Sequence, residues 1–165
     1  MSTAANRLGF SLMRVLGADP NENLTFSPYS ILSALTMVAL GAKGETQREI
    51  LSALRWTTPV RELAVVVGSV IEAASAPYWR EGPSILRTAN AIWPAKGIEL
   101  NPEYIGDLQK FVAAHAEPLD FRANPDGSVR RINDWIAEQT EHEITNLLSS
   151  SDVDPETALL LTNAL

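Results

Sequence analysis

FSPYSILSALTMVALGAKGET, residues 26–46, is the stretch on which the reading of the whole chain turns. Its centre is a helix with no charged face: Ile31, Leu32, Leu35, Val38 and Ala39 on one side, and only Ser33, Ala34, Thr36 and Met37 on the others. A helix that is apolar or small all round has nothing to offer water and is expected to run through an interior. Yet it opens with hydroxyl groups. Ser27 followed by Pro28 is a helix-start pair, an N-cap oxygen for a free amide and a proline where no N–H is missed, and Gly41 stops the helix. Capping accounts for Ser27 and Ser30 locally, but hydroxyls at a buried helix entrance must also find partners inside the protein. The chain's most apolar run, ALLLTNAL at 158–165, reads as a buried strand and carries one polar pair, Thr162 and Asn163. That pair is the natural partner.

Outward from this helix the order is mostly helical. MSTAANRLGFSLMRVLG at the start reads as an amphipathic helix with Leu8, Leu12, Val15 and Leu16 on one face, and GADPNEN (17–23) is a turn cluster that closes it. LTFS (24–27) alternates like a short strand. Residues 44–56 suit an exposed amphipathic helix with Ile50, Leu51 and Leu54 inward. Residues 58–76 place Leu63, Val66, Val67, Val70 and Ile71 at helical spacing, although Val65–Val67 could equally be a strand. Residues 84–100 have strand character followed by a glycine turn; Asn101 and Pro102 then start a helix over 101–115, and AEPLDF (116–121) is a short strand. Asn124 and Pro125 repeat the cap signal for a helix over 124–148, with Val129, Ile132, Ile136, Thr140, Ile144 and Leu147 in period. A polar loop leads to the terminal strand. Many helices with a few strands arriving late and far apart predict an α+β fold, helices packed around a sheet.

Composition narrows the function. At 165 residues and 45% hydrophobic, the chain can bury the core of one domain. Thirteen basic against 20 acidic residues give a net charge of −7, with no Lys/Arg run, which opposes binding to nucleic acid or an anionic membrane. No stretch reaches the roughly 18 apolar residues of a membrane span. There is no cysteine, so neither a disulfide nor a thiolate metal site nor a cysteine nucleophile is available. The N-terminus lacks the apolar core and cleavage site of a signal peptide.

Catalytic signals are weak. GAKGET (41–46) lacks the spacing of a phosphate loop and puts Glu45 where an anion would be repelled, so it reads as a helix end and a turn. His115 and His142 are the only histidines, neither in an HExxH spacing; His142 lies between Glu141 and Glu143 on what reads as a polar helical surface, and solvated histidines are expected. GxSxG does not occur. NLT at Asn23 fits a glycosylation pattern, but a turn role suffices. The chain reads as no enzyme and as needing no metal or cofactor.

At this point a resemblance carries the reading further. NLTFSPYSILSALTMVALGAKGETQREIL closely resembles the serpin segment in which a short strand leads into the central helix B. ANAIWPAKGIELNPEYIGDLQKFVAAHAEPLDF is similar to strand 2A, helix E and strand 1A, and RRINDWIAEQTEHEITNLLSSSDVDPETALLLTNAL to helix F running into strand 3A. The similarity is collinear over residues 4–165. It implies the N-terminal part of the serpin fold, helices A–F packed around strands of the large sheet A.

In that family the helix B entrance lies under sheet A, in the shutter, where serines bond to an asparagine on strand 3A and a histidine on strand 5A. Ser27 and Ser30 match the serines and Asn163 the asparagine; the matching histidine would lie beyond residue 165. The implied function is suicide inhibition of serine, or sometimes cysteine, proteases: a cleaved reactive-centre loop inserts into sheet A and a metastable native state drives the change. The resemblance also implies an extracellular protein, whereas a chain truly starting at Met1 would be cytoplasmic. A serpin is more than twice this long and carries its reactive loop near its C-terminus. The expectation is therefore that residues 1–165 are an N-terminal fragment of a single serpin domain, not inhibitory alone and prone to self-association. A non-inhibitory carrier or chaperone-like relative, and a non-functional remnant, remain alternatives. The stretch matching helix D, residues 58–81, holds only Arg61 and Arg80 as bases against Glu62, Glu72 and Glu81, which predicts no heparin activation there.

Overall fold

In the computed structural model, which describes residues 2–16, 23–75 and 87–165, the helix read from residues 26–46 begins where the cap chemistry puts it. Ser27 is extended (φ −101°, ψ 107°), its hydroxyl accepts the Ser30 amide, and α2 runs Pro28–Gly41. Before it lies α1 (Ser2–Leu16) and after it α3 (Gly44–Ala53) and α4 (Val60–Ser75). Then come β1 (Ala89–Pro94), α5 (Pro102–Val112), β2 (His115–Ala116), α6 (Pro125–Gln139), one 3-10 turn at Ser150–Asp152 and β3 (Leu159–Ala164). The Asn101–Pro102 and Asn124–Pro125 starts form as expected, the asparagine side chains accepting the amides of Glu103 and Gly127.

The three strands form one sheet in the order β2-β1-β3. β1 pairs parallel with β2 and antiparallel with β3, Asn90 facing Asn163 and Trp93 facing Leu160. Being central and covered on both sides, β1 is buried along its whole length. Successive side chains point to opposite faces. Ala89, Ala91 and Trp93 join Ala164 and the α6 residues Val129, Ile132 and Ile136 in one core. Ile92 joins Leu32 and Met37 of α2, Leu63 and Val67 of α4, and Leu108 and Val112 of α5 in the other. The result is three layers: α6, the sheet, and a helical layer led by α2.

The lower layer is tied by two tyrosines. Tyr29 donates to the Val67 carbonyl at 2.8 Å and Tyr104 to the Met37 carbonyl at 3.1 Å, linking α2 to α4 and α5. Burial pushes both phenols up to about 12. Gly68 lets α4 and α5 approach: a Cβ there would stand 1.9 Å from the Phe111 carbonyl oxygen. Residues 41–46 are the expected helix end and turn, Gly44 adopting φ +61° and the Gln47 amide donating to the Ala39 and Ala42 carbonyls at 2.9 Å each.

Several expectations need correction. On α1, Leu8 and Leu12 are half-buried, but Val15 and Leu16 stand in solvent, Val15 81% exposed. The segment 24–27 is extended without being a strand, because among the described residues no strand pairs with it. The strand read at 116–121 is reduced to His115–Ala116 and a single bridge from Leu119 to Ala95, Pro118 having no N–H to give a ladder. Residues 60–75 are helix, so Val65–Val67 are not a strand.

On α2 the packing is rotated from the apolar count. Ser33, Thr36 and Met37 are fully buried together with Leu32 and Ala39, while Val38 is exposed. The helix expected over 124–148 stops at Gln139: Glu141 and His142 take left-handed φ of 50° and 65°, and the chain turns back. Two side chains, Asn133 of α6 and Thr140 just after it, fix that return. The Thr140 hydroxyl donates to Ile136 O at 2.8 Å and accepts from Ile144 N, and the Asn133 amide bonds both the N–H and the carbonyl of Leu148. Leu147, read as part of the helical stripe, is exposed. The turn at 17–23 lies almost wholly outside the described residues, as does the start of the 84–100 stretch.

A candidate functional site: the polar seam between helix α2 and the sheet

Three polar side chains meet where α2 enters beneath the sheet. Ser30, in the first turn of α2, donates its hydroxyl to Oδ1 of Asn163 on β3. Asn163 Nδ2 donates to Oδ1 of Asn90, its direct neighbour across the β1–β3 ladder, at 2.6 Å. Asn90, 2% exposed, donates in turn to the Val112 carbonyl at the end of α5 at 3.0 Å. One chain of hydrogen bonds thus runs from α2 through both strands to α5. Strand alternation explains the convergence: Asn90 and Asn163 share the face turned to α2, as do Ile92 and Leu161. A half-buried relay of this kind is directional and satisfied at each joint, and breaking one joint strands its neighbours.

Of the residues singled out from the sequence, Ser30 and Asn163 touch. Ser27 does not join them; its oxygen is occupied by the Ser30 amide at 3.2 Å. Thr162 points to the opposite face, where its buried hydroxyl accepts from Trp93 Nε1 at 3.0 Å. The residue that sequence reasoning missed is Asn90. Its signal was present, an amide inside the otherwise apolar run ANAIW, but only the register shows that it opposes Asn163. One turn deeper on α2, the fully buried Ser33 hydroxyl has no hydrogen-bond partner among the described residues.

The histidines separate. His142 is exposed, though off the helix rather than on its surface. His115 is not freely solvated: it is half-buried and packed against two indoles. Among the described residues no group of three His, Asp or Glu side chains is placed to hold a metal ion, and no helix is long and apolar enough to cross a membrane.

A sheet braced on one face by α6 and seamed on the other to a buried, hydroxyl-capped helix is the architecture of one end of the serpin fold. The serpin (serine protease inhibitor) family model matches residues 3–165, and the chain belongs to that family. Among curated relatives it is 36% identical to an uncharacterized serpin-like protein of Thermococcus kodakarensis, over 98% of this chain and 37% of that one. It is 35% identical to the leukocyte elastase inhibitor of Sus scrofa, over 100% of this chain and 43% of that one. Among solved structures it superposes on Arabidopsis AtSerpin1 in its native stressed conformation with a TM-score of 0.82 and 25% identity, covering 98% of this chain and 41% of that one. Uncleaved ovalbumin gives 0.77 and 27%, covering 98% and 42%. The chain therefore spans about two fifths of the length of these relatives.

Proposed function

We propose that residues 1–165 are the N-terminal portion of a single serpin domain whose whole protein is a suicide substrate of serine or cysteine proteases, and that Ser30, Asn163 and Asn90 form its shutter, with Ser27 as the cap that orients Ser30. The observation that carries this reading is the Ser30–Asn163–Asn90 relay. A sheet that must open between strands is better closed by a few exchangeable hydrogen bonds than by a continuous apolar contact. The likeness to a protein named leukocyte elastase inhibitor supports the protease as partner.

The test is a protein translated from the gene read past Leu165, mixed with elastase, trypsin and a papain-type protease and run on a denaturing gel. A covalent band of summed mass is expected with at least one protease. Cleavage without such a band would overturn the inhibitory reading and favour a binding or carrier role. Residues 1–165 alone are expected to be digested without a complex, and to self-associate. β3 is the outer strand of the sheet among the described residues, Leu159 on it and Leu165 just after it are exposed, and an unpaired apolar edge recruits other chains. Light scattering decides that: a monodisperse monomer would remove the self-association claim. No heparin activation is proposed through residues 58–81: Arg61 is already paired with Glu103 and Asp107, and Arg80, the other base of that stretch, lies outside the described residues.

A further inference from the structure

The corner between α3 and α4 holds a pocket of about 440 Å³ that stands apart from the seam. Arg48 and Ser52 lie four positions apart on one stripe of α3, and Arg55 follows just past the helix end. Thr57 and Thr58, on the link to α4, complete the polar lining, and Leu51 and Trp56 supply its apolar part. Every polar side chain in this lining carries an N–H or O–H to donate. No carboxylate joins them, although Glu45, Glu49 and Glu62 are close in sequence. In a chain of net charge −7, such a lining runs against the balance of the molecule. Two local tensions mark the same corner. Arg55 takes φ +52° where a helix end of this kind ordinarily places glycine, and strain of that sort persists where it serves a site. The Trp56 indole N–H is buried and has no acceptor among the described residues, so its surroundings favour a group that brings one.

We propose that this corner seats one small oxyanion, a phosphate or sulfate group, free or at the end of a larger molecule. Such a group presents acceptors all round one centre and matches a lining that presents donors. Arg55 makes no ion pair among the described residues, whereas Arg61, Arg87 and Arg131 are each paired. Arg48 gives one N–H to Glu45 in an exposed pair. A guanidinium carries five, and an exposed pair of this kind is weak, so Arg48 keeps donors to turn inward. The Glu45 charge opposes an anion at that edge, so the firmer hold falls to Arg55 and the hydroxyls of Ser52, Thr57 and Thr58. Two arginines make a seat for one group, not the run of cations that a polyanion needs. Leu51 and the Trp56 ring leave room beside the charged group for an apolar or aromatic substituent.

The experiment is equilibrium dialysis of the chain 1–165 against radiolabelled inorganic phosphate, at constant ionic strength in chloride. Dialysis counts bound ions whatever the state of association of the chain. Saturation at a single phosphate per chain is expected, displaced by sulfate and not by chloride. Arg55→Gly and Arg48→Gln should each weaken binding by about tenfold, the loss of one charge-assisted bond. Arg130→Gln, at an exposed base of α6, should leave it unchanged. Arg55→Gly also separates the site from the fold. It relieves the left-handed residue, so the variant should melt higher than the parent in chloride, yet lose the rise in melting temperature that phosphate gives the parent. Phenyl phosphate identifies the source: binding tighter than phosphate assigns the seat to a group carried on a larger molecule, and equal or weaker binding assigns it to the free ion. No saturable binding, displacement by chloride, or binding that survives Arg55→Gly or Arg48→Gln undiminished would each overturn the site.

Discussion

The two faces of the sheet are built on different principles. Toward α6 the strands present Ala89, Ala91, Trp93 and Ala164, small residues around one large one, against Val129, Ile132 and Ile136. This face holds mainly by area: its buried polar pair, Trp93 to Thr162, joins two strands, and Arg131 of α6 bonds Glu117 only at the sheet's edge. Toward α2 the strands present Asn90 and Asn163 as well as Ile92 and Leu161, and the helix answers with a serine. Burial of apolar area is non-directional, so the α6 face tolerates small slides. Hydrogen bonds are directional and can be exchanged for others of equal strength, so the α2 face is either closed or open. One sheet thus has a greased side and a keyed side.

If that contrast is right, Trp93→Ala should be the most costly change, because it empties the α6 face and leaves the buried Thr162 hydroxyl without its donor. A loss of about 3–5 kcal/mol is expected in urea unfolding; a loss below the cost of a single hydrogen bond would show that this face does not rest on area. Next comes Gly68→Ala, where the new methyl meets a backbone carbonyl and not a flexible side chain. The upper part of the range of about 1–3 kcal/mol is expected, with α4 and α5 separating; a neutral or stabilising result would mean the lower layer is looser than its geometry.

Asn163→Ala should cost about 1–3 kcal/mol by stranding Ser30 and Asn90. The sharper measurement is the double variant with Ser30→Ala, whose cost should fall well short of the sum of the singles; simple additivity would mean the relay is not one unit. The smallest effect is Tyr29→Phe, about 1 kcal/mol for one lost hydrogen bond. Since both phenols are raised from about 10 to about 12, the folded state favours their neutral forms. Stability from this source is complete below pH 10 and is lost as pH rises toward 12. A thermal melt that is flat over that window would contradict it.

How far the residues alone reached varies by kind of signal. Helix starts were legible to the residue at Ser27, Asn101 and Asn124, because an N-cap is chemistry between neighbours a few positions apart. The end of α6 was not. The hydrophobic period continues past Gln139, no glycine marks the stop, and the turn exists because Asn133 and Thr140 capture the returning chain. The rotation of α2 was hidden too. With serine, threonine and methionine on one side and aliphatics on the other, the residues declare burial but no direction, and neighbouring helices choose it.

By itself, then, the sequence determined that a nearly uncharged, serine-capped helix would lie inside an α+β fold, and its resemblance to serpins singled out Ser27, Ser30 and Asn163, of which Ser30 and Asn163 touch. Those features are local, or are inherited as collinear phrases. What only the tertiary structure decided was the register that sets Asn90 opposite Asn163, the departure of Thr162 to the other face, and the cage that closes on His115. Each depends on residues 20 to 73 positions apart arriving at one place, and a one-residue slip of β3 against β1 would turn every one of its side chains to the wrong face.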